Sequence, residues 1–540
     1  MYPVHIFYTQ RMMSYREEML KSIMRIATFI SMNTSMEYAI INTRRHLWGT
    51  LKTQFTDIVN KLQRRDYNTL GDAFEHYTPI WNEVNPDFVK SLRLIETAAM
   101  SKEEDRMKIL DEVQETLIIS YHTMGKRFAE DLSSKAKSLV TIGVLFPVIS
   151  LMLLPLVSVF LPEVVSTPLV TFFYTILFPV LLLVMALNFS ALRIQVDTIR
   201  ISDSPLYKKP SAWLLLIGAI IILVFSAPTI AHLLTIDMAI PESVENEYKF
   251  VSIIICLLLG LGVALAIFVL SQIYVRKYHK LWKDVDMTER DLPHLLQSFS
   301  TYLTLNRSVE SIISDIVDDY KIHGFSKHPV VKFFSNIILQ LKVSKKSVAN
   351  LAKTLLPKIC PSRKVSGTLS QIISFTDISQ ESAAKAAKMI RKQTISIYQL
   401  DDYIQTMLSE TISLINITVS LLAPILCAAA VLMSMAIVKS LVFVEKILSA
   451  LAFGAKIDLA LAKVELIIPP TIIEVVVAIY LLEMILVLSL FSSNIKYGHD
   501  MFQFVKTLLS NLMGFLIFVV ILVLGYYFLE TLVFGEIFAT

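Results

Sequence analysis

Glycine and cysteine are scarce in this chain: 14 and 3 among 540 residues. So few glycines leave little from which to build a phosphate cradle. No G-x-x-x-x-G-K-[ST] loop occurs, and the only Gly-Lys pair, Gly125-Lys126, lacks the upstream glycine and the hydroxyl that hold phosphate and Mg²⁺. G-x-S-x-G, H-E-x-x-H and Gly-rich dinucleotide loops are absent too. The ten histidines form no H-x-x-x-H pair, and there is no C-x-x-C or Cys/His cluster, so a zinc site is not expected. Cys256 and Cys427 fall in apolar runs, where a thiol behaves as a small hydrophobe, and Cys360 precedes Pro361 in a polar region. A disulfide framework, a zinc site, ATP hydrolysis by the chain itself and other catalysis are therefore all unexpected. The first residues, with Arg11, Arg16, Glu17, Glu18 and Lys21, contain no apolar core of signal-peptide type, so the start is expected to stay uncleaved in the cytoplasm.

Charge is also sparse. Charged residues make up 18% and hydrophobic residues 54%, against roughly 25% and 45–50% in globular domains. The apolar excess comes in blocks that approach the roughly 20 residues a helix needs to cross a bilayer. Seven spans are expected, at 138–162, 167–190, 211–236, 251–275, 411–438, 468–491 and 512–533. Prolines 147, 155, 179, 228 and 424 lie inside them, where neighbouring helices can satisfy the freed carbonyls.

The loop between the second and third spans carries Arg193, Arg200, Lys208 and Lys209, which keeps it in the cytoplasm. On that orientation residues 1–137 and 276–410 are cytoplasmic and the C-terminus is outside. Residues 441–465, apolar but broken by Glu445, Lys446, Lys456, Asp458 and Lys463, suit an amphipathic helix on the outer surface or a re-entrant hairpin.

The two polar parts echo each other. Asn33-Thr34-Ser35-Met36-Glu37-Tyr38-Ala39-Ile40 and Asn306-Arg307-Ser308-Val309-Glu310-Ser311-Ile312-Ile313 share one pattern. Tyr121 and Tyr398 stand at the same distance from Pro147 and Pro424, in Val144-Leu145-Phe146-Pro147 and Leu421-Leu422-Ala423-Pro424. Both parts read as helical. Leu20, Ile23, Ala27 and Ile30 make an apolar stripe, as do Leu292, Leu295, Leu296, Phe299 and Leu303 after an Asp291 start signal with Pro293 in the first turn. Each stripe stops at an asparagine, a residue that tolerates the left-handed conformation ending a helix. Thr34 and Glu37 then have capping-box spacing. The expected fold is an all-α integral membrane protein. Two helical-bundle modules (1–137 and 276–410) alternate with four transmembrane helices (138–275) and three (411–540).

Three features compete for functional meaning. The second polar part is basic, at Arg276-Lys277, Lys280 and Lys283 and at Lys342, Lys345, Lys346, Lys353, Lys358, Arg363 and Lys364. A positive-inside flank plus a solvated face accounts for such runs. Otherwise the first group fits anionic lipid and the second an acidic protein partner. Arg44-Arg45 and Arg64-Arg65 are either docking pairs for carboxylates or ordinary surface charges. In the sixth span, Glu474 stands three after Thr471, at capping-box spacing. Glu483 lies about 18 Å beyond Thr471, near mid-bilayer, where an ionisable group is a functional candidate by default.

Two helical polar modules, each opening with an amphipathic helix and a turn and each running into a membrane span, resemble the inner-membrane platform of type II secretion and type IV pilus machines. The archaeal branch of that family is the FlaJ/TadC-like platform of archaella and archaeal pili. Ile23 to Ile40 with Leu296 to Ile313, and Ser91 to Pro147 with Thr368 to Pro424, carry the likeness. Ile378-Ser379-Gln380-Glu381-Ser382-Ala383-Ala384-Lys385-Ala386-Ala387 looks like the family's small-residue stretch before the second membrane segment. Where relatives commonly have glycine in each turn, this chain has Asn33 and Asn306. The resemblance implies a plasma-membrane anchor for a cytoplasmic hexameric secretion ATPase, coupling it to insertion of pilin or archaellin subunits into a filament. It also implies membrane-lipid contact, a homodimer, no cofactor, no enzymatic activity and no nucleic-acid partner. The competing reading is a secondary transporter using Glu483. Transporter repeats lie among the membrane segments, whereas this repeat lies in the polar parts and the spans divide four and three.

Overall fold

A computed structural model of the chain describes residues 2–160, 165–190, 201–210, 213–235, 250–343, 348–451 and 470–534. It is 89% helix, with no strand among the described residues. The chain divides into two compact units.

The first unit comprises Met1–Asp131, Ala191–Lys208 and Tyr278–Leu408. It contains two series of helices in the same order. Tyr2–Ser31, Met36–Arg44, Gly49–Arg64, Leu70–Val84, Pro86–Met100 and Glu103–Val140 form the first series. Leu292–Thr304, Val309–Ile322, Pro329–Val343, Val348–Ile359, Arg363–Phe375 and Gln380–Ile417 form the second. Leu20, Ile23, Ala27 and Ile30 are buried in one series and Leu292, Leu295, Leu296, Phe299 and Leu303 in the other, so both apolar stripes face the core.

The repeated motif has one geometry in both places. Asn33 and Asn306 take φ of 62° and 55°, which close the preceding helix in the left-handed region. Ser35 and Ser308 then adopt extended backbone, and each hydroxyl accepts the N–H three residues on, from Tyr38 and Ser311, at 3.3 Å. The expected capping box at Thr34 and Glu37 is not formed. The Thr34 hydroxyl donates backwards to the Phe29 carbonyl at 2.7 Å, so the new helix is capped one residue later by Ser35 and Glu37 falls in its first turn. Asp291 does precede the second stripe, but its side chain makes no cap hydrogen bond. Its carboxylate accepts the Tyr320 hydroxyl instead.

The longest helices of the series, Glu103–Val140 and Gln380–Ile417, pair with each other. Within the first unit Lys385 bonds Glu103, Lys392 bonds Asp111 at 2.6 Å, and Gln114 meets Met389. A Cβ at Gly125 would lie 3.0 Å from Ile404, so the small residue admits that side chain. In the second unit Thr411 donates to Ser133 at 3.0 Å. The hydrogen-bonded partners are 275 to 282 residues apart. Tyr121 and Tyr398, like Pro147 and Pro424, are 277 apart. Equivalent positions therefore meet, which requires two parallel helices in register.

The second unit comprises Leu132–Ser190, Lys209–Lys277 and Ser409–Thr540. Among the described residues six helices are long and apolar enough to cross a membrane: Glu103–Val157, Thr167–Ser190, Ile254–Arg290, Gln380–Ser440, Pro470–Tyr497 and Met501–Thr531. By length and composition the chain is a multi-pass membrane protein. Seven spans were expected. The stretch expected at 211–236 is a helix, Trp213–Thr235, whose described apolar part is Leu216–Ala231. The expected surface helix or hairpin at 441–465 lies mostly outside the described residues. Its first part, to Leu451, continues the helix from Ala423.

Three prolines shape these helices in the same way. The π-helical segments Thr141–Leu145, Phe173–Leu177 and Thr418–Leu422 each end two residues before a proline: Pro147, Pro179 and Pro424. A helical proline has no N–H, and its ring collides with the carbonyl four residues back. Widening the preceding turn relieves that collision, with Phe146, Phe178 and Ala423 donating five residues back, to Thr141, Phe173 and Thr418. The carbonyl of Gly143, four before Pro147, accepts the Tyr480 hydroxyl at 3.1 Å, the inter-helix rescue that a membrane interior demands.

Tyr480 belongs to the helix at the centre of the second unit. The apolar window of Pro470–Tyr497 is 78% buried, against 28–50% for the other five. Those five leave side chains such as Phe146, Leu187 and Leu524 exposed, an apolar surface suited to lipid rather than water. Small polar contacts join the bundle: Asn511 to Ser489 at 2.9 Å and Ser492 to Asn416 at 3.1 Å.

Stability effects are expected at two positions, measurable as thermal midpoints of the purified chain in detergent. Asn306→Gly should match or exceed the parent, because glycine takes positive φ freely. Asn306→Val should cost about 1–2 kcal/mol. Tyr480→Phe should cost about 1–3 kcal/mol by stranding the Gly143 carbonyl; an unchanged midpoint would show that this bond carries no weight.

Candidate functional site

The arginine pairs singled out in the sequence occupy helix ends. Arg44 closes the helix that begins at Met36 and Arg45 is its C-cap. Arg64 closes the helix from Gly49, and Arg65 caps it in the left-handed conformation at φ 63°. Cations at C-termini complement the helix dipole, which explains all four without a partner. They form no ion pair with other described residues. The structure does not gather them into one patch: the 16-residue helix between them separates the pairs by about 24 Å.

Of the basic group, Lys342 lies near the end of Pro329–Val343 and Lys353 lies within Val348–Ile359. Their side chains, and Lys345 and Lys346 altogether, lie outside the described residues. Lys364 is in place at the start of Arg363–Phe375, with its ammonium 5.1 Å from the Tyr398 ring centroid.

Charges across the paired long helices are complementary, which periodicity within either helix does not reveal. Glu103 sits opposite Lys385, which also bonds Glu381 at 2.8 Å, and Asp111 sits opposite Lys392. The hydrogen bond from the Lys385 ammonium, aided by its charge, holds the Glu103 carboxyl below the usual carboxylate range. These groups are largely exposed and contribute little stability. Their value is to favour one register over its neighbours. Cys360 is buried, and that burial pushes its thiol up to about 12, which makes it unreactive. Among the described residues no group of three or more His, Cys, Asp or Glu side chains is placed to hold a metal.

The remaining candidates are the carboxyls of the central helix. Glu483 is half-buried, with Oε2 enclosed and without a hydrogen-bond partner among the described residues. Glu474 is fully buried, and both of its oxygens lack a partner there. The capping role expected for Glu474 is not observed. Thr471 lies inside the helix, which already includes Pro470, and its own hydroxyl is buried and unpartnered. The nine-residue step from Glu474 to Glu483 makes about 2.5 turns. They therefore occupy opposite faces and do not form a carboxylate pair.

One turn beyond Glu474 on its face, Ala478 packs against Gly260. A Cβ at Gly260 would lie 3.0 Å from both Ala478 and Phe515, so Glu474 shares its face with tight apolar packing. An unpartnered acid in a membrane helix is costly and marks a functional candidate. Its signal was legible as a glutamate in an apolar run, and the nearby threonine disguised it.

Replacing Glu474 separates packing from function. Glu474→Leu should leave the thermal midpoint unchanged or raise it, because removing an unsatisfied buried polar group relieves about 1–3 kcal/mol of desolvation. A marked fall in midpoint would show that the carboxyl is bonded in the folded protein. No family model, no curated protein and no solved structure matches this chain.

Proposed function

We propose that the chain is the membrane platform of a type IV pilus-like or archaellum assembly machine, or of a type II secretion machine. It anchors a cytoplasmic hexameric ATPase and couples that motor to the movement of pilin subunits from the membrane into a filament. The observation that carries this reading is the duplication: two helix series share the Asn-x-Ser turn geometry, and their long helices pair in parallel and in register. Each series continues as unbroken helix from charged into apolar sequence, 55 residues for Glu103–Val157 and 61 for Gln380–Ser440. On this reading both series face the cytoplasm, the C-terminus lies outside, and the anchor works in the plasma membrane as a homodimer.

The basic second series is the preferred grip for the motor. Charge reversal at Lys342, Lys345 and Lys346 should weaken binding of a co-expressed secretion ATPase by tenfold or more, about 1.4 kcal/mol or above. Unchanged affinity in a pull-down titration counts against that surface.

The buried acids of the central helix favour a second reading, secondary transport through a membrane carboxylate. Proton-coupled uptake by proteoliposomes of the pure chain, abolished by Glu483→Gln, establishes transport. The platform reading requires that such uptake be absent.

A further inference from the structure

A cavity of about 450 Å³ lies in the first unit between Tyr2–Ser31, the corner at residues 84–90 and Glu103–Val140. Three cations line it, Arg16, Lys90 and Arg127, against one acid, Asp87. The wall also includes Asn85, the N-cap of the 15-residue helix Pro86–Met100. The Asn85 side-chain oxygen accepts the N–H groups of Asp87 and Phe88 at 3.1 and 3.3 Å, which fixes the amide's orientation. Its Nδ2 is then left buried, in a residue only 5% exposed, with no partner among the described residues. Arg16 spends its Nε on the Val84 carbonyl at 3.1 Å. No ion pair engages Arg16, Lys90 or Arg127 among the described residues.

The second helix series supplies an internal control. Glu289 follows Arg16 by the 273 positions that separate Asn33 from Asn306, and Ser362 follows Asn85 by the 277 that separate the two prolines. There the N-cap is satisfied from within: the Ser362 hydroxyl donates to the Glu289 carboxylate at 2.7 Å, both buried. At the same offset Lys90 and Arg127 correspond to Gly367 and Ile404, and Asp87 corresponds to Lys364. One copy therefore carries its own carboxylate at the helix start. The other has a cation in that place, two more around it and an orphaned donor.

We propose that the cavity of the first series binds a phosphate group, presented by a small phosphate ester or by a phospholipid head group. Arg16, Lys90 and Arg127 supply charge, Asn85 Nδ2 supplies a neutral donor, and the positive end of the helix adds to both. A tetrahedral oxyanion accepts hydrogen bonds from several directions, as donors on three separate helices require, whereas a planar carboxylate accepts them mainly in one plane. The assignment stands apart from the platform reading, since neither depends on the other.

Two arms test it on the full chain in detergent: calorimetric titration with glycerol 3-phosphate, and native mass spectrometry with phosphatidylglycerol against phosphatidylcholine. Saturable binding in the first arm assigns a soluble ester. Selective retention of phosphatidylglycerol in the second arm alone assigns a lipid. Asn85→Ser keeps a cap of the kind the second series uses but removes the amide donor, and it should weaken binding about tenfold, as should Arg127→Ala. Asp87→Asn should tighten binding by about two- to fivefold. A purely structural cavity predicts no saturable binding in either arm. Binding unchanged by Asn85→Ser and Arg127→Ala, weakening by Asp87→Asn, or equal competition by acetate overturns the proposal.

Discussion

The in-register parallel pairing of Glu103–Val140 with Gln380–Ile417 is the constraint on which the rest depends. The pairing needs small or flexible side chains where the helices approach, which Gly125 and Met389 provide. Its register is marked by complementary charge, Glu103 with Lys385 and Asp111 with Lys392. Each ion pair is weak by itself. A slipped register would set acids and lysines against the wrong neighbours, so their joint effect is specificity.

Proline sets the second constraint. Three prolines each follow a π-helical segment by two positions, so they act as defined widenings of the helix and not as breaks. The backbone groups they release need partners in a bundle that offers few waters. Tyr480 on the central helix supplies one for Gly143. Gly514 leaves room at another, where a Cβ would sit 2.7 Å from the Val419 carbonyl oxygen within the π segment before Pro424. The central helix thus fills the bundle's core and also meets the backbone the prolines disturb. It carries both membrane acids as well, and Glu474 lies on its tightly packed face.

The two copies agree in backbone and diverge in charge. Turn geometry, helix order and the proline at Pro147 and Pro424 repeat, whereas Arg16 stands opposite Glu289 in the comparison and Asp87 opposite Lys364. Duplicated scaffolds with unequal surfaces suit a protein that holds different ligands or partners on similar frames. The cavity at Asn85 is the sharpest instance, since only one copy leaves its cap donor open.

Much of the fold was legible in the residues alone. The apolar blocks, both buried stripes and the left-handed asparagines follow from periodicity and local backbone preference, which act within a few residues and need no tertiary context. Local rules failed where two candidates stood side by side: Thr34 and Ser35 both qualify as caps, and the choice went to Ser35 because Thr34 bonds backwards to Phe29. They failed again at Glu474, whose spacing from Thr471 imitates a cap inside a continuing helix. The candidate surfaces fared less well, since the four arginines are separated by a helix length that composition does not show. What the sequence determined was the class of protein, its duplication and its turns, all set by short-range sterics and by hydrophobicity. The tertiary structure alone decided the helix register, the partner of the Gly143 carbonyl and the cavity joining Arg16, Asn85, Lys90 and Arg127. Those depend on residues far apart in the chain meeting in space, and no local preference encodes such a meeting.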